Sequence, residues 1–341
     1  MKILAIDSGT TTTRVWAVED GRISDHERAL GGARDVAQGR DQDWLRGHVR
    51  GLAQRVADRA GGWDAFDAAV AFGMVTSEHG LAEVAHLPAP AAPADLAAAL
   101  MPLPAGDVLP IPLLLVPGVL CENRADAARA DFMRGEETEV AGLLAEPGMI
   151  GPLLFVSPGS HSKFIAVDAA GRISWSVTTL AGELLWTLSQ ETILAGLVTA
   201  DLDEVDLQAV DRGDEAARDQ GLTRALYVTR LLHRLEEMPA ASCAAFALGA
   251  VAADDLQALD SARRHGVDVP GDVVLGGEGA LVTVYEHLLS RAAWASQVRR
   301  RPGLLGPLGA WSLFAMAHSA GGGGPAAPDA TGAPSRQSAD R

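Results

Sequence analysis

The chain has 341 residues, of which 48% are hydrophobic and 21% are charged, and its formal net charge is −16 at pH 7. A chain of this length is better accommodated by two domains than by one hydrophobic core. The net negative charge argues against a nucleic-acid partner, because phosphate backbones are bound by clustered lysine and arginine side chains.

The cysteines and the short apolar runs indicate the cellular compartment. Cys121 and Cys243 are the only cysteines and form no CxxC pair, which fits a reducing cytosol and rules out a metal site built from cysteines. The apolar run in MKILAIDSG is too short for a signal peptide, and no run approaches about 18 apolar residues. We therefore expect a cytoplasmic protein without a membrane partner.

The first predicted element is a β-hairpin whose sequence recurs later in the chain. Residues 3–23 read ILAIDSGTTTTRVWAVEDGRI, and residues 153–173 read LLFVSPGSHSKFIAVDAAGRI. Each copy is an apolar strand, a turn of Gly, Ser and Thr, a second apolar strand and a Gly turn. Gly9 aligns with Gly159, Thr10 with Ser160, and Thr12 with Ser162. Such turns offer backbone N–H and hydroxyl groups to phosphate oxygens, so the repeat predicts a nucleotide clamped between two domains.

Asp7 stands at the end of the first strand, shortly before this turn. Mg²⁺ prefers one or two carboxylates together with phosphates and water, so a carboxylate beside a phosphate-binding turn is where this ion would bind. The alternative is that Asp7 only caps its own turn. The second copy of the hairpin favours the metal site.

After the first hairpin, helices alternate with strands. Leu45, Val49, Leu52 and Val56 recur at helical spacing and predict an amphipathic helix over 41–60. AAVAF, at 68–72, reads as a buried strand, and the segment 88–117, rich in Pro and Ala, as a winding connection with short strands. Further helices are predicted at 135–144, 182–195, 213–236 and 240–260, with a last strand from residue 272.

This alternation indicates the α/β class. We expect an N-terminal domain over 1–130 and a C-terminal domain over 131–318. The low-complexity segment 319–341 is expected to be a disordered tail.

MRGEETEVAG, at residues 133–142, places Glu136 and Glu137 at a predicted helix start. The helix dipole favours ionised carboxylates there, and helix capping alone would account for an isolated Glu–Glu pair. The pair also lies shortly before the second hairpin, where a general base for a sugar hydroxyl would reach the phosphoryl acceptor.

The second hairpin has Ser157 where the first has Asp7, and it adds His161 and Lys163. Lys163 could place a positive charge against a transferring phosphoryl group, or it could be a solvated lysine on the flank of the hairpin. His161 is the weaker candidate for contact with a ligand.

VVLGGEGAL, at residues 273–281, reads as a strand that ends in Gly276 and Gly277 and leads into a helix. Glycines at this point let a flat ring approach the backbone, although a glycine turn between a strand and a helix is common. Neither GxxxxGK[ST] nor GxGxxG is present, so P-loop and Rossmann sites have no support.

The order of two phosphate-binding hairpins, an intervening acid and a late strand–Gly–Gly–helix resembles the actin/hexokinase/Hsp70 superfamily. Within it, the sequence resembles the 2-dehydro-3-deoxygalactonokinase family over about residues 1–290. The matching strings are AIDSGTTTTRVW, GMVTSEHGL, VPGVL, DFMRGEETEVAGL, VSPGSHSKF, TTLAGELLWTL and VVLGGEGAL. Ser8 departs from the family, which often has Trp there.

This resemblance implies two ribonuclease-H-like domains with an interdomain cleft. It also implies ATP and Mg²⁺ as cosubstrate and cofactor. The implied reaction is phosphorylation of 2-dehydro-3-deoxy-D-galactonate at the C6 hydroxyl, giving the 6-phosphate in galactonate catabolism.

The resemblance also implies roles for individual residues. Asp7 would organise Mg²⁺, and Glu136 would be the catalytic base by its match to GDQQAALFG of glycerol-kinase-like enzymes, with Glu137 as the fallback. Lys163 would act beside them. The sugar would contact Thr76, Ser77, Glu137 and Arg134, the last through the substrate carboxylate. The nucleotide would contact Gly9, Thr10, Thr11, Thr12, Gly159, Ser160, His161, Gly276 and Gly277.

Two other functions stay open. One is a kinase of the same fold with another substrate, such as a hexose or 2-keto-3-deoxygluconate, which differs from the galactonate-derived acid at one stereocentre. The other is an actin-like nucleotide-dependent binding protein without a small acceptor. The expected partners are a small sugar acid and ATP, and the oligomeric state stays open, with a homodimer as one option.

Overall fold

The computed structural model describes residues 1–122 and 126–320. The strands are, in chain order, β1 (Lys2–Ser8), β2 (Thr12–Glu19), β3 (Arg22–Leu30), β4 (Ala68–Phe72), β5 (Leu87–Pro88), β6 (Met101–Leu103), β7 (Leu113–Leu115), β8 (Val119–Cys121), β9 (Asp131–Met133), β10 (Leu153–Ser157), β11 (Ser162–Val167), β12 (Ile173–Thr179), β13 (Asp272–Gly276) and β14 (Gln297–Arg301). The α-helices are α1 (Ala33–Ala37), α2 (Gln42–Arg59), α3 (Pro93–Ala98), α4 (Glu136–Leu144), α5 (Ala181–Glu191), α6 (Leu207–Gln220), α7 (Leu222–Leu235), α8 (Ala240–Arg264), α9 (Ala280–Leu289) and α10 (Leu305–Ala320).

Two sheets with the same strand order form the two lobes. The first sheet runs β3-β2-β1-β4-β7-β6, and the second runs β12-β11-β10-β13-β14. In each, three antiparallel strands in meander order are followed by two parallel strands beside the first of the three. The first sheet has one further strand, β6, which is antiparallel to β7. This duplicated order confirms the predicted α/β class with two ribonuclease-H-like domains. A small third sheet has the order β5-β8-β9.

The alternation of side chains in the strands creates separate cores. In β1, Ile3 and Ala5 face a core shared with the second sheet, whereas Leu4 and Ile6 face α2 on the outside. In β10, Phe155 faces the shared core and Leu154 the outer helices of the second lobe. Successive strand residues point to opposite faces, so each sheet is covered on both sides.

Helices α4 and α10 contribute buried side chains to the shared core, and they pack against each other. A Cβ on Gly142 would overlap the carbonyl oxygen of Leu305, and a Cβ on Gly309 would overlap that of Thr138. The two backbones therefore touch where they cross, which fixes the start of α4 relative to both lobes.

Most of the predicted elements are confirmed. The structure has α2, β4, α4, α5, α8 and β13 at the expected places, within a few residues at each end. The prediction of one helix over 213–236 is wrong, because Gly221 adopts φ +84° and separates α6 from α7. The strand β3 was not predicted, since its exposed charged residues, RISDHERAL, alternate with only partly buried ones.

The position of the last helix, α10, is relevant to the predicted domain boundaries. Helix α10 belongs to the predicted C-terminal domain, yet it packs on α3, β1 and β4 of the first lobe. The division at residues 130 and 318 stays a prediction. The predicted tail lies outside the described residues from residue 321 onward, and Ser319 and Ala320 belong to α10.

Helix α8 is long and apolar enough to span a membrane by length and composition alone, but 78% of its apolar window is buried inside the protein. It packs against α6, α7 and α9 in the second lobe.

Candidate active site

The two predicted phosphate-binding hairpins lie at the carboxyl ends of β1 and β10. Each is held by residues just after the third strand of its meander, β3 in the first lobe and β12 in the second. In the first, the backbone N–H of Ala33 donates to Gly9 O (3.1 Å) and that of Arg34 to Thr10 O (2.9 Å). In the second, the N–H of Glu183 donates to Ser160 O (2.9 Å). Carbonyl oxygens that would repel a phosphate are thus turned towards α1 and α5 and are occupied.

The hairpins differ in length by one residue. Asp7 pairs with Arg14 across the first, and Ser157 pairs with Lys163 across the second. Arg14 and Lys163 are therefore equivalent positions, and both lie in the row of side chains that faces the shared core. The sequence alignment of Thr12 with Ser162 does not hold in the strands, where Thr13 takes the position of Ser162.

Asp7 lies where the first lobe meets α4. Its Oδ2 accepts a hydrogen bond from Arg14 Nη1 (2.8 Å), and a Cβ placed on Gly73 would lie 3.1 Å from its Oδ1. A Cβ on Gly135 would in turn lie 3.3 Å from the Cα of Gly73. Burial raises the pKa of Asp7, and the charge of Arg14 opposes that rise. The carboxylate is paired but 22% exposed, so one edge stays accessible.

Glu136 begins α4, and its surroundings suit a proton acceptor. Its Oε2 is buried and has no hydrogen-bond partner among the residues that the structure describes. Burial raises the pKa of Glu136, the positive charge of Lys163 opposes this, and the negative charges of Asp7 and Asp131 add to it. The free oxygen lies in a field from both lobes, since Asp7 belongs to the first lobe and Lys163 to the second.

Glu137 is engaged within its own helix start. Its two carboxylate oxygens accept from the N–H of Gly135 at 3.0 and 2.7 Å, and Oε1 also accepts from Thr138 Oγ1 at 2.9 Å. The residue is only 1% exposed. Burial, followed by the charge of Glu136, raises the pKa of Glu137 to about 8. This geometry makes Glu137 a helix cap here and leaves it little capacity to bind a substrate.

Glu139 is a candidate that the sequence analysis missed. It lies one turn after Glu136, and its Oε2 accepts a hydrogen bond from Ser157 Oγ (2.7 Å). Burial and then the charge of Glu136 raise the pKa of Glu139 to about 8. The available signal was the i, i+3 spacing from Glu136, which puts both side chains on one helix face. Arg14 was also missed, although it lies within the matching string AIDSGTTTTRVW.

Lys163 points into the protein, so the alternative of a solvated flank lysine is wrong. It is 6% exposed, and its Nζ donates to Thr178 Oγ1 (2.9 Å) and weakly to Phe132 O (3.4 Å). Thr178 Oγ1 itself donates to Asp131 Oδ2 (2.9 Å). The hydrogen-bond acceptors of this ammonium group are therefore uncharged, and its positive charge acts on Glu136.

The residues predicted to bind the sugar meet around Arg134. Its Nη1 donates to Thr76 Oγ1 (2.9 Å) and its Nη2 to Val84 O (2.7 Å), with His86 Nδ1 at 3.4 Å. Within residues 1–122 and 126–320, no carboxylate forms an ion pair with Arg134. Burial lowers the pKa of Arg134, and the charges of Glu137, Glu78 and Glu83 oppose this. Ser77 is buried and donates to Met74 O (2.7 Å), so it shapes the loop.

Gly276 ends β13, which runs parallel to β10, and Gly277 follows it, so both glycines lie at the same sheet edge as the second hairpin. A Cβ on Gly276 would lie 2.8 Å from the ring of Phe155. The close packing of Phe155 therefore explains why residue 276 is glycine, with no need for a role in ligand binding. Gly277 is exposed beside it.

Residues 7–304 match the family described as 2-keto-3-deoxy-galactonokinase. The chain belongs to this family. It is accordingly a sugar kinase, a phosphotransferase with the actin/hexokinase type of fold, as the resemblance predicted.

Two solved structures show the same architecture as this kinase. A Sinorhizobium meliloti protein, provisionally named a 2-dehydro-3-deoxygalactonokinase, superposes with a TM-score of 0.70 at 25% identity, over 93% of this chain and 98% of that one. The activator of the 2-hydroxyisocaproyl-CoA dehydratase from Clostridium difficile, with ADPNP bound, superposes with a TM-score of 0.50 at 14% identity, over 94% and 97% of the two chains. The similarity to this activator shows a common fold and nothing about function. No curated protein sequence matches the kinase.

The carboxylates of the kinase fit a magnesium ion that is shared with phosphates. Among the described residues, no three His, Cys, Asp or Glu side chains are placed to hold a metal by themselves. Mg²⁺ is commonly bound by one or two carboxylates, with phosphate oxygens and water completing its shell. Asp7, a carboxylate with one accessible edge, has the right chemistry, and Glu139 is the second carboxylate nearby.

Proposed function

We propose that this kinase transfers the γ-phosphoryl group of ATP to the C6 hydroxyl of 2-dehydro-3-deoxy-D-galactonate, giving the 6-phosphate in galactonate catabolism. The observation that supports this most directly is the buried, unpartnered Oε2 of Glu136 at the start of α4. A carboxylate oxygen in that state can take a proton from an alcohol, whereas both oxygens of Glu137 already accept a hydrogen bond at its own helix start.

In the proposed step, Glu136 accepts the proton of the acceptor hydroxyl while the alkoxide oxygen forms a bond to the γ-phosphorus. The bond from the γ-phosphorus to the β–γ bridging oxygen breaks, and ADP leaves. A base works best when its pKa lies near the working pH, and burial moves the pKa of Glu136 in that direction. The nearby ammonium of Lys163 favours the ionised form of Glu136 and would also attract phosphoryl oxygens.

The nucleotide is proposed to lie between the two hairpins. The backbone of residues 9–12 and of residues 159–161 would contact the phosphates, and Gly276 and Gly277 would border the base. Asp7 would hold Mg²⁺, which neutralises charge on the phosphates when it is bound.

The acceptor is proposed to be a sugar acid because of Arg134. This half-buried guanidinium has three neutral contacts and no carboxylate partner among the described residues. The planar fork of arginine suits a carboxylate in two-point contact, and a neutral hexose would leave the charge unmatched. Membership of a sugar-kinase family disfavours the actin-like alternative, while the gluconate-derived epimer remains the second candidate. We further propose a cytoplasmic location.

The test is a coupled assay of ADP release with the galactonate-derived acid, its gluconate-derived epimer and a hexose as acceptors. We expect release to depend on the acceptor and to be fastest with the first. Glu136→Gln should lower kcat by at least about 10²-fold while ATP binding survives, as removal of a general base does. Arg134→Ala should impair the acids far more than the hexose.

Glu137→Gln is the matched control, and it should affect stability more than kcat. Near-normal turnover of Glu136→Gln would eliminate Glu136 as the base. Release of ADP that ignores every acceptor would reject the kinase activity itself.

A further inference from the structure

Three side chains from the two lobes meet at one carboxylate oxygen beside the hairpins. Arg34 Nη2 of the first lobe donates to Glu183 Oε1 of the second lobe at 3.2 Å. His161 Nε2, on the second hairpin, lies 3.7 Å from the same oxygen. All three side chains are about one-third exposed, so this cluster faces the opening between the lobes and not a core.

The backbone of the same residues holds the hairpins. The N–H of Arg34 donates to Thr10 O and the N–H of Glu183 donates to Ser160 O, each at 2.9 Å. The Arg34–Glu183 contact therefore links the rims of the two hairpins directly.

The chemistry of this cluster is that of a phosphate site with a carboxylate in place of the phosphate. Arg34 uses one of its five N–H donors on Glu183, and no other side chain among the described residues accepts from it. An arginine with free donors at the rim of a phosphate-binding turn is well suited to a bidentate contact with phosphate oxygens. A triphosphate seated between the hairpins would also repel the Glu183 carboxylate.

We propose that Arg34 is a triphosphate-binding residue that Glu183 holds in place until the nucleotide arrives. On binding, Arg34 exchanges the carboxylate oxygen for phosphate oxygens, and Glu183 turns to solvent. His161 lies beside the same oxygen and can make the same exchange. This inference rests on the proposed use of ATP and adds to it a competition between a side chain of the kinase and its nucleotide.

The experiment measures the dissociation constants of a non-hydrolysable ATP analogue and of AMP by calorimetry, without acceptor, for the wild type, Arg34→Ala and Glu183→Gln. Arg34→Ala should raise the constant for the triphosphate by about tenfold or more, since it removes charged hydrogen bonds, and leave AMP unchanged. Glu183→Gln should lower it by about two- to fivefold, because an exposed ion pair no longer competes. Arg40→Ala is the control, as Arg40 pairs with Asp35 in the same segment.

Opposite shifts in the two variants are the result that supports the exchange. If Arg34→Ala and Glu183→Gln weaken the triphosphate equally, or if Arg34→Ala binds it like the wild type, the exchange is refuted. Failure of the wild type to bind any triphosphate would instead overturn the proposed function. Thermal melts of each variant show whether it is folded under the conditions of the titration.

Discussion

The acidic side chains at the start of α4 differ in function because their hydrogen-bond partners differ. Glu137 accepts from the backbone of Gly135 and from Thr138, Glu139 accepts from Ser157, and Glu136 has one oxygen without a partner. The charge of Glu136 contributes to the raised pKa of both Glu137 and Glu139. The same helix start thus supplies a cap, a link to the second lobe and a carboxylate oxygen that is free to act as the proposed base.

The raised pKa values predict how stability depends on pH. With pKa values of about 8, Glu137 and Glu139 keep protons in the folded chain that the unfolded chain releases near its usual value of 4.5. The folded state therefore binds more protons between about pH 5 and pH 8, and this contribution to stability is lost as the pH rises through that window. His48 and His86, whose pKa values burial lowers, act in the opposite direction below about pH 6.5.

A comparison of the wild type with Glu139→Gln isolates the contribution of Glu139 to this pH dependence. We expect that raising the pH from about 5.5 to about 8 reduces the free energy of unfolding of the unliganded wild type by more than about 1 kcal/mol relative to Glu139→Gln. Urea titrations at the two pH values measure this, and the histidine contribution cancels in the difference. Glu215→Gln, an exposed substitution on α6, should behave like the wild type. Parallel pH dependences of wild type and Glu139→Gln would show that Glu139 is ionised in the folded chain.

At the scale of the elements, the crossing of α4 and α10 positions the helix that carries the proposed base. The two backbones meet at Gly142 and Gly309, where an added Cβ would overlap a main-chain carbonyl oxygen of the partner helix. A backbone atom cannot rotate away as a side chain can. The start of α4 is therefore fixed by a contact that tolerates only glycine.

This crossing gives a stability prediction with a built-in control. Gly142→Ala and Gly309→Ala should each lower the free energy of unfolding by about 1–3 kcal/mol, as overpacking of a core does. Gly47→Ala, on the exposed side of α2 with no atom near the new Cβ, should raise it by up to about 1 kcal/mol, because alanine favours the helix. Urea denaturation measures all three. A Gly142→Ala protein as stable as the wild type would mean that the helices can separate at little cost.

At the scale of the molecule, the two lobes share one core but face each other across the hairpins. Helices α4 and α10 join the lobes in the shared core, while the Arg34–Glu183 pair links them at the rim. Exclusion of water from a phosphoryl-transfer site limits wasteful hydrolysis, and a partly exposed ion pair such as Arg34–Glu183 can break easily when the rim moves.

We therefore predict that the lobes close when both substrates bind. The radius of gyration from small-angle scattering should be smaller with ATP and the sugar acid together than in the unliganded protein. The Glu136→Gln variant is the best sample, because it should hold both substrates without turning them over. An unchanged radius in the presence of saturating ligands would exclude closure.

The sequence by itself determined the two hairpins, the α/β class and the positions of Asp7 and Glu136. These depend on residues that are neighbours in the chain, where turn chemistry and strand alternation act locally. The likeness to a known family added the order of the motifs and the expected reaction.

Only the tertiary structure decided which of these groups meet and which are free. The strand registers made Arg14 and Lys163 equivalent although the hairpins differ by one residue in length. The packing of α4 brought Glu139 to Ser157 and left an oxygen of Glu136 without a partner among the described residues. The Arg34–Glu183 contact joins residues from different lobes. Pairings between distant segments follow from how whole elements pack and how their strands register, and no local pattern in the sequence specifies that geometry.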